Sequence, residues 1–263
     1  MNAPDITLAS GHAIPQFGLG TWMLRGQQCK DVVKEALEMG YTHLDSAWMY
    51  ENQDAIGQVL KEIGADRDSL FITSKIWHSH LEYEATLEQM EEILRDLQTE
   101  YVDLLLIHSP GQGVPVERTL AAFEKIYEAG QAKSIGISNF SIEQTDRARA
   151  ATGLPICTNQ VEYHLRHNRE KLRHHCHTHN VVLTAHRPLA RGDLAQDEAL
   201  KQVAADHGKT PAQVALKWLL QKDMIVIPKA SSTAHLRDNL DLFDWQLGDE
   251  EMARLDGVGS DPD

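Results

Sequence analysis

The sequence predicts an α/β fold, a (β/α)8 TIM barrel entered through a short N-terminal β-hairpin. Three observations predict it. Short apolar runs alternate with segments of helical period along all 263 residues. The apolar runs are continuous rather than alternating, as parallel strands covered on both faces require. No Gly, Pro or Ser stretch resembles a linker, so residues 1–263 are read as one barrel domain. A doubly wound open sheet is the alternative, and it lacks its fingerprint: Gly18-Leu19-Gly20-Thr21-Trp22-Met23 has no third glycine and no helix directly after it.

Residues 6–15 carry apolar groups around Ser10-Gly11, a hairpin suited to cap the bottom of a barrel. Eight strands are then expected at 17–19, 42–44, 71–74, 102–107, 134–137, 158–161, 181–185 and 225–227. Helices are expected between them. The first, 30–39, has Val32, Val33, Ala36 and Leu37 on one face and stops at Gly40. Those at 54–63 and 117–129 are likewise closed by Gly64 and Gly130. Residues 83–97 place Leu87, Met90, Ile93, Leu94 and Leu97 at helical spacing. Ser141 caps a helix to residue 150. Helices at 169–179, 197–207, 210–221 and 233–243 complete the set, with Thr210 as N-cap and Pro211 in the first turn of the third.

Hydrophobic residues make up 42% and charged residues 24%, ordinary for a globule with a full core. The formal net charge of −14 argues against a nucleic-acid or anionic-membrane surface, since both need clustered Lys and Arg. No apolar run is long enough to span a membrane, and Met1-Asn2-Ala3-Pro4-Asp5 lacks the features of a secretory signal. Three widely spaced cysteines, Cys29, Cys157 and Cys176, point to a reducing cytoplasm rather than a disulfide scaffold. Without a long exposed apolar stripe, a monomer is expected.

In such barrels chemistry sits at the C-terminal ends of the strands. Here those ends carry Asp45, Lys75, His108, Ser138-Asn139, Gln160, His186 and Lys229. A buried ammonium at Lys75 needs a partner, and Asp45 on the neighbouring strand supplies it. That pair alone is as well explained as an internal salt bridge. Tyr50 alters the balance. Lys75 beside it is expected to lower the phenol pKa from its usual value near 10. Such a phenol can protonate an oxyanion forming on a carbonyl. His108 adds a hydrogen-bond donor to orient that carbonyl.

The order and spacing of these segments resemble the aldo-keto reductases. The resemblance rests on Gly18-Leu19-Gly20-Thr21-Trp22, Asp45-Ser46-Ala47-Trp48-Met49-Tyr50, Thr73-Ser74-Lys75-Ile76-Trp77 and Leu106-Ile107-His108-Ser109-Pro110. It continues through Gly136-Ile137-Ser138-Asn139-Phe140, Asn159-Gln160-Val161-Glu162 and Ile227-Pro228-Lys229. It covers essentially the whole chain and is most similar to the prokaryotic 2,5-diketo-D-gluconate reductase type. It implies an NAD(P)H-dependent oxidoreductase that reduces small aldehydes, ketones and keto sugars. Tyr50 would be the general acid, Lys75 would lower its pKa, Asp45 would hold Lys75, and His108 would orient the carbonyl. Trp22, Trp48 and Trp77, with His108, would wall the substrate. The nicotinamide cofactor would meet Gly20 and Thr21, with Ser138, Asn139 and Gln160 on its carboxamide. Further along it would meet His186, Arg187, Leu189, Lys229, Ser231, His235, Asp238 and Asn239.

Several positions depart from the family's pattern. Ala185-His186-Arg187-Pro188-Leu189 puts an imidazole where an aromatic ring stacks on the nicotinamide. It also puts a guanidinium where a small hydroxyl is usual, which either meets the pyrophosphate or points to solvent. Near the 2′-phosphate site Lys229 is kept, but Ala230 and His235 replace the usual Ser and Arg. Arg237 lies on a different helical face. The resemblance implies NADPH as the cofactor, and the His235 and Ala230 replacements make NADH plausible as well. Ser231, Ser232 and the following helix N-terminus offer another phosphate grip. Ser109 in place of Trp, the short 111–115 loop and the short tail predict a wide, weakly selective pocket.

His175 and His179 stand one helical turn apart, a spacing that can hold zinc. No carboxylate motif accompanies them, so a solvated helix face and no metal are expected. Two rival functions are a nucleotide-binding barrel with a regulatory or stress role and a hydrolase using His108 and Asp45. The hydrolase lacks a nucleophile elbow or a metal triad.

Overall fold

The computed structural model describes residues 3–111 and 113–259. The readings made on Met1-Asn2, on Gln112 and on the tail from Ser260 onward lie outside those residues. Strands β1 (Asp5–Thr7) and β2 (Ala13–Pro15) pair antiparallel with Ile6 opposite Ile14. Eight parallel strands follow: β3 (Leu19–Gly20), β4 (His43–Asp45), β5 (Phe71–Ile76), β6 (Leu104–Ile107), β7 (Ile135–Ser138), β8 (Ile156–Glu162), β9 (Val182–His186) and β10 (Ile225–Val226). Each pairs with its neighbour in chain order. The two outer strands meet through Gly18 N to Val226 O (3.0 Å), Val226 N to Gln16 O (2.8 Å) and Gly20 N to Pro228 O (3.1 Å). At that seam a Cβ on Gly20 would come within 2.6 Å of Ile227 O, so glycine lets the outer strands approach.

The helices are α1 (Gly26–Glu38), α2 (Gln53–Glu62), α3 (Tyr83–Leu97), α4 (Val116–Glu128), α5 (Ile142–Ala150), α6 (Glu170–Thr178), α7 (Glu198–His207), α8 (Pro211–Leu220), α9 (Thr233–Leu240) and α10 (Asp249–Asp256). Ser141 and Thr210 each form a capping box, with Gln144 and Gln213. Strand ends fall within two or three residues of expectation. Helix α1 begins four residues earlier than periodicity indicates, because Gln27, Gln28 and Lys30 make its first turn polar and only Cys29 is buried there. Helix α10 was not expected. Its single buried residue, Leu255, leaves no apolar period to read. It docks on α7, α8 and the turn after α8 through His207 on Glu251 (2.8 Å) and Trp218 and Lys222 on Asp256 (2.9 and 2.7 Å).

Side chains alternate in and out along the strands, with an irregularity in β8 where the register to β7 shifts and Cys157 and Thr158 both turn inward; the inward set is graded from bottom to top. At the bottom, Leu8 and Ile14 of the hairpin pack with Phe71, Leu104, Leu106, Cys157, Ile225 and Ile227, so the hairpin does plug the barrel. The next inward level is hydrogen-bonded but uncharged. His43 lies between Pro15 O (3.2 Å) and Thr73 Oγ1 (3.3 Å), and Thr158 meets Thr184 at 2.8 Å. Two residues further on, the same faces carry Asp45, Lys75 and Gln160. The outward residues, such as Leu44, Ile72, Leu105 and Ile107, join the larger core beneath the helices.

Candidate active site

Lys75 is fully buried, and its ammonium has three protons to place. They point at Asp45 Oδ1 (2.6 Å), Ser46 O (2.8 Å) and Tyr50 Oη (3.3 Å). The other Asp45 oxygen accepts from Gln160 Nε2 at 2.7 Å. Burial disfavours the ammonium, but Asp45 and Tyr50 outweigh it, and the Lys75 pKa lies above its ordinary value. Charged Lys75 is therefore the resident form.

Tyr50 ends a single 3-10 turn, Trp48–Tyr50, and enters the network as an acceptor. That leaves its own O–H to donate. Burial raises the phenol pKa, and Lys75 only partly pulls it back, so the net shift is upward. This corrects the expectation of a lowered phenol pKa: loss of solvent around the phenolate outweighs one ammonium at 3.3 Å. The phenol stays protonated through the neutral range.

His108 follows β6 and packs edge-on to Tyr50 (5.7 Å between centroids) and to Trp77 (4.8 Å). Burial first, then Lys75, His186 and His78, pushes its pKa down to about 3. A neutral imidazole carries one N–H, and its Nδ1 is buried without a partner.

The turn that carries Tyr50 is pinned by Asn52, which sequence reasoning passed over. Asn52 is completely buried, accepts from Ser46 Oγ (2.9 Å) and donates to Thr21 O and Leu24 O (both 2.9 Å). The only signal was its place one residue before a helix. Thr21 donates its hydroxyl and amide to Asp45 O (2.9 and 3.0 Å), so that side chain is spent inside the network.

Ser138 Oγ donates to Gln160 O (2.7 Å), and Asn139 Nδ2 donates to His108 O (2.9 Å). Asn139 holds a left-handed backbone, φ 63°, which asparagine tolerates. Its Oδ1 lies 3.0 Å from His186 Nε2. An amide oxygen only accepts, so His186 carries its proton on Nε2. Burial pushes the His186 pKa down to about 3 despite Glu162 nearby.

The three tryptophans each have their own neighbours. Trp77 lies on His108. Trp48 donates to Glu92 Oε2 (2.8 Å) and packs on His80 (5.1 Å). Trp22 is covered by the guanidiniums of Arg187 and Arg191, at 5.2 and 5.3 Å. Arg187 is tied through one guanidinium nitrogen to Glu162 Oε2 at 2.8 Å, and its side chain stays about one-third exposed. Lys229, Ser231, His235 and Asp238 are exposed, whereas Gly20, Ala230 and Asn239 are buried and Leu189 half-buried. Ser232 Oγ caps α9 by accepting from His235 N (3.3 Å).

A wide cleft lined by Gly57, Asp66, Gln98 and Tyr101 opens near the N-terminal ends of β5 and β6. Its Arg67 is consumed by Asp103 (2.7 Å), Leu70 O and Tyr101 O, so it is structural.

The profile of the Aldo/keto reductase family matches residues 16–260. Glyoxal reductase of Bacillus subtilis (strain 168) is 37% identical over 257 residues, covering 97% of this chain and 93% of its own. A solved structure provisionally named 2,5-diketo-D-gluconic acid reductase B has a TM-score of 0.95 at 35% identity, with coverage of 100% and 93%. An aldo-keto reductase of Bombyx mori, solved in complex with NADP, has a TM-score of 0.93 at 28% identity, with coverage of 99% and 94%. Sequence profile, fold and near-complete coverage agree, and the chain belongs to the aldo/keto reductase family.

Proposed function

We propose that the chain reduces small aldehydes and ketones, keto sugars among them, to alcohols, with Tyr50 as general acid. One observation carries this reading: Lys75 donates to the Tyr50 oxygen, which turns the phenolic proton away from the protein's own acceptors. His108, neutral, offers its N–H beside the same point and holds the carbonyl oxygen toward Tyr50. Asp45 keeps Lys75 charged and aimed, and Gln160 keeps Asp45 aimed. As the proton leaves, the Lys75 ammonium stabilises the phenolate that remains. The name of the Bacillus subtilis relative supports a small, reactive carbonyl.

A nicotinamide cofactor fits the mouth. Ser138, Asn139 and His186 form a polar shelf at the ends of β7 and β9, and Lys229 and Ser231 stand exposed before α9. Bound there, the nicotinamide supplies the hydride that the carbonyl carbon receives. Gln160 and Thr21 would act on that group through the Asp45 network, and Gly20, Leu189, Asp238 and Asn239 through the rim. Arg187 would have to leave Glu162 to meet the pyrophosphate. NADPH is the first choice because the Bombyx mori relative holds NADP. NADH is the second because His235 and Ala230 lack the fork and the hydroxyl that grip a 2′-phosphate.

We read the chain further as a single-domain cytoplasmic monomer. Cys29, Cys157 and Cys176 are free and buried, no described helix is long and apolar enough to cross a membrane, and large exposed apolar side chains are scattered. The test is nicotinamide absorbance with NADPH and then NADH, against methylglyoxal, an aromatic aldehyde and a keto sugar. Oxidation of either cofactor supports the reading. Tight cofactor binding with no turnover in any pairing would return the barrel to the nucleotide-binding alternative.

A further inference from the structure

We propose that Asp146, His175 and His179 bind a divalent transition-metal ion of the zinc class, tying α5 to α6 on the outer ring. Among the described residues they are the one group of three such side chains whose ligand atoms all lie within 4.8 Å of one another. The two imidazoles stand one turn apart on α6 and its C-cap, with centroids 4.4 Å apart. The carboxylate that the α6 sequence lacks comes from α5, 29 residues upstream: Asp146 Oδ1 lies 2.8 Å from His175 Nε2.

The geometry suits an inserted ion. In a tetrahedral site with bonds of about 2.0–2.2 Å, adjacent ligand atoms stand about 3.3–3.5 Å apart. The Asp146–His175 contact must open by roughly half an ångström, and His179 must swing inward. All three side chains are half-buried rather than packed in the core, so rotation about their own bonds suffices. His179 is already oriented. Its Nδ1 lies 2.8 Å from His175 O, a carbonyl that can only accept, so the neutral ring keeps its proton on Nδ1 and presents the Nε2 lone pair. A metal-bound histidine is ordinarily fixed in this way. Binding would shift the His175 proton from Nε2 to Nδ1, and water would complete the coordination. Arg149, 3.3 Å from Asp146 Oδ1, opposes the ion and must turn outward, where its side chain is already one-third exposed.

In a barrel the helices run back from the mouth, so the C-terminal end of α6 lies toward the opposite face. The ion would brace the scaffold without touching the reaction. The test titrates zinc chloride into the metal-free full chain by calorimetry and follows Tm with and without zinc. One bound ion and a raised Tm are expected. His179→Ala and Asp146→Asn, each checked for folding by circular dichroism, should weaken binding at least about tenfold. Turnover should not change between metal-free and zinc-loaded protein. Zinc binding that both variants retain would place the ion on other histidines of the 14 and overturn the proposal. No binding up to about 1 mM zinc would also overturn it.

Discussion

Tyr50→Phe separates the proton donor from everything else at the mouth. The substitution removes one oxygen and leaves the ring that packs against His108 at 5.7 Å. Lys75 loses the longest of its three contacts, 3.3 Å, and keeps Asp45 at 2.6 Å and Ser46 O at 2.8 Å. A lost hydrogen bond of that kind costs about 1 kcal/mol, so the fold should hold and unfold slightly earlier in denaturant. General acid catalysis contributes about 10²–10⁴-fold, or roughly 3–5 kcal/mol of barrier. The variant should therefore lose about that much in kcat while binding cofactor nearly as before. Intrinsic tryptophan fluorescence gives cofactor affinity, and nicotinamide absorbance gives the rate. A variant that kept more than about a tenth of the wild-type rate would have lost under ~1.4 kcal/mol, too little for a proton donor. Tyr50 would then be a packing group, and the acid would have to be sought elsewhere.

Three further predictions concern Tyr50 and the groups around the mouth. Because burial holds the Tyr50 pKa above its ordinary value, the acid stays protonated through the neutral range, and reduction at saturating substrate should stay level from about pH 6 to about pH 9. A fall in that range tracking a phenol ionisation would contradict the upward shift. Over the same titration stability should fall on acidification. His43, His108 and His186 have folded pKa values of about 4, 3 and 3, below the unfolded value near 6.5. The unfolded chain binds those protons first, so each histidine removes up to about 1.4 kcal/mol per pH unit between pH 6.5 and about 4. A denaturant midpoint that did not move between pH 7 and pH 5 would count against neutral buried histidines. Gln160→Leu strips the donor from Asp45 Oδ2 and should destabilise the cofactor-free chain by about 1.5–3 kcal/mol, the worth of a hydrogen bond to a charged group. If the variant lost cofactor affinity alone, with its unfolding curve unmoved, Gln160 would serve the cofactor and not the network.

The barrel was legible because each strand is short, apolar and followed by a helix with a readable stripe or cap. Tyr83–Leu97 falls where its leucines place it, and Ser141 and Thr210 cap the helices they announce. Residues on one strand face were legible too, since parity alone carries Phe71 and Thr73 to Lys75 and His43 to Asp45. What could not be read was competition between strands far apart in the chain. Gln160 and Asp45 are 115 residues apart, and only barrel closure makes them partners. Asn52 has no local pattern to single it out, yet it anchors the Tyr50 turn to the loop after β3. The sign of the Tyr50 shift was misread for a related reason. Sequence shows that a cation is near, whereas the opposing effect of lost solvent depends on packing that no local pattern encodes.

The same network explains why the mouth is built at the expense of the fold. Lys75 and Asp45 are both nearly inaccessible to water, and removing two charges from solvent costs several kcal/mol per ion before their attraction returns any of it. Two apolar residues of similar volume would continue the inward column of Phe71 and Leu106 more cheaply. The pair persists as chemistry rather than as a stability device, because an ammonium with only two fixed acceptors must spend its third proton on the phenol. The hydrogen-bonded level below, His43 with Thr73 and Thr158 with Thr184, separates those charges from the apolar plug beneath. Polarity therefore rises in steps toward the mouth. At the top step Tyr50 is dry enough to stay protonated and close enough to Lys75 to give its proton up.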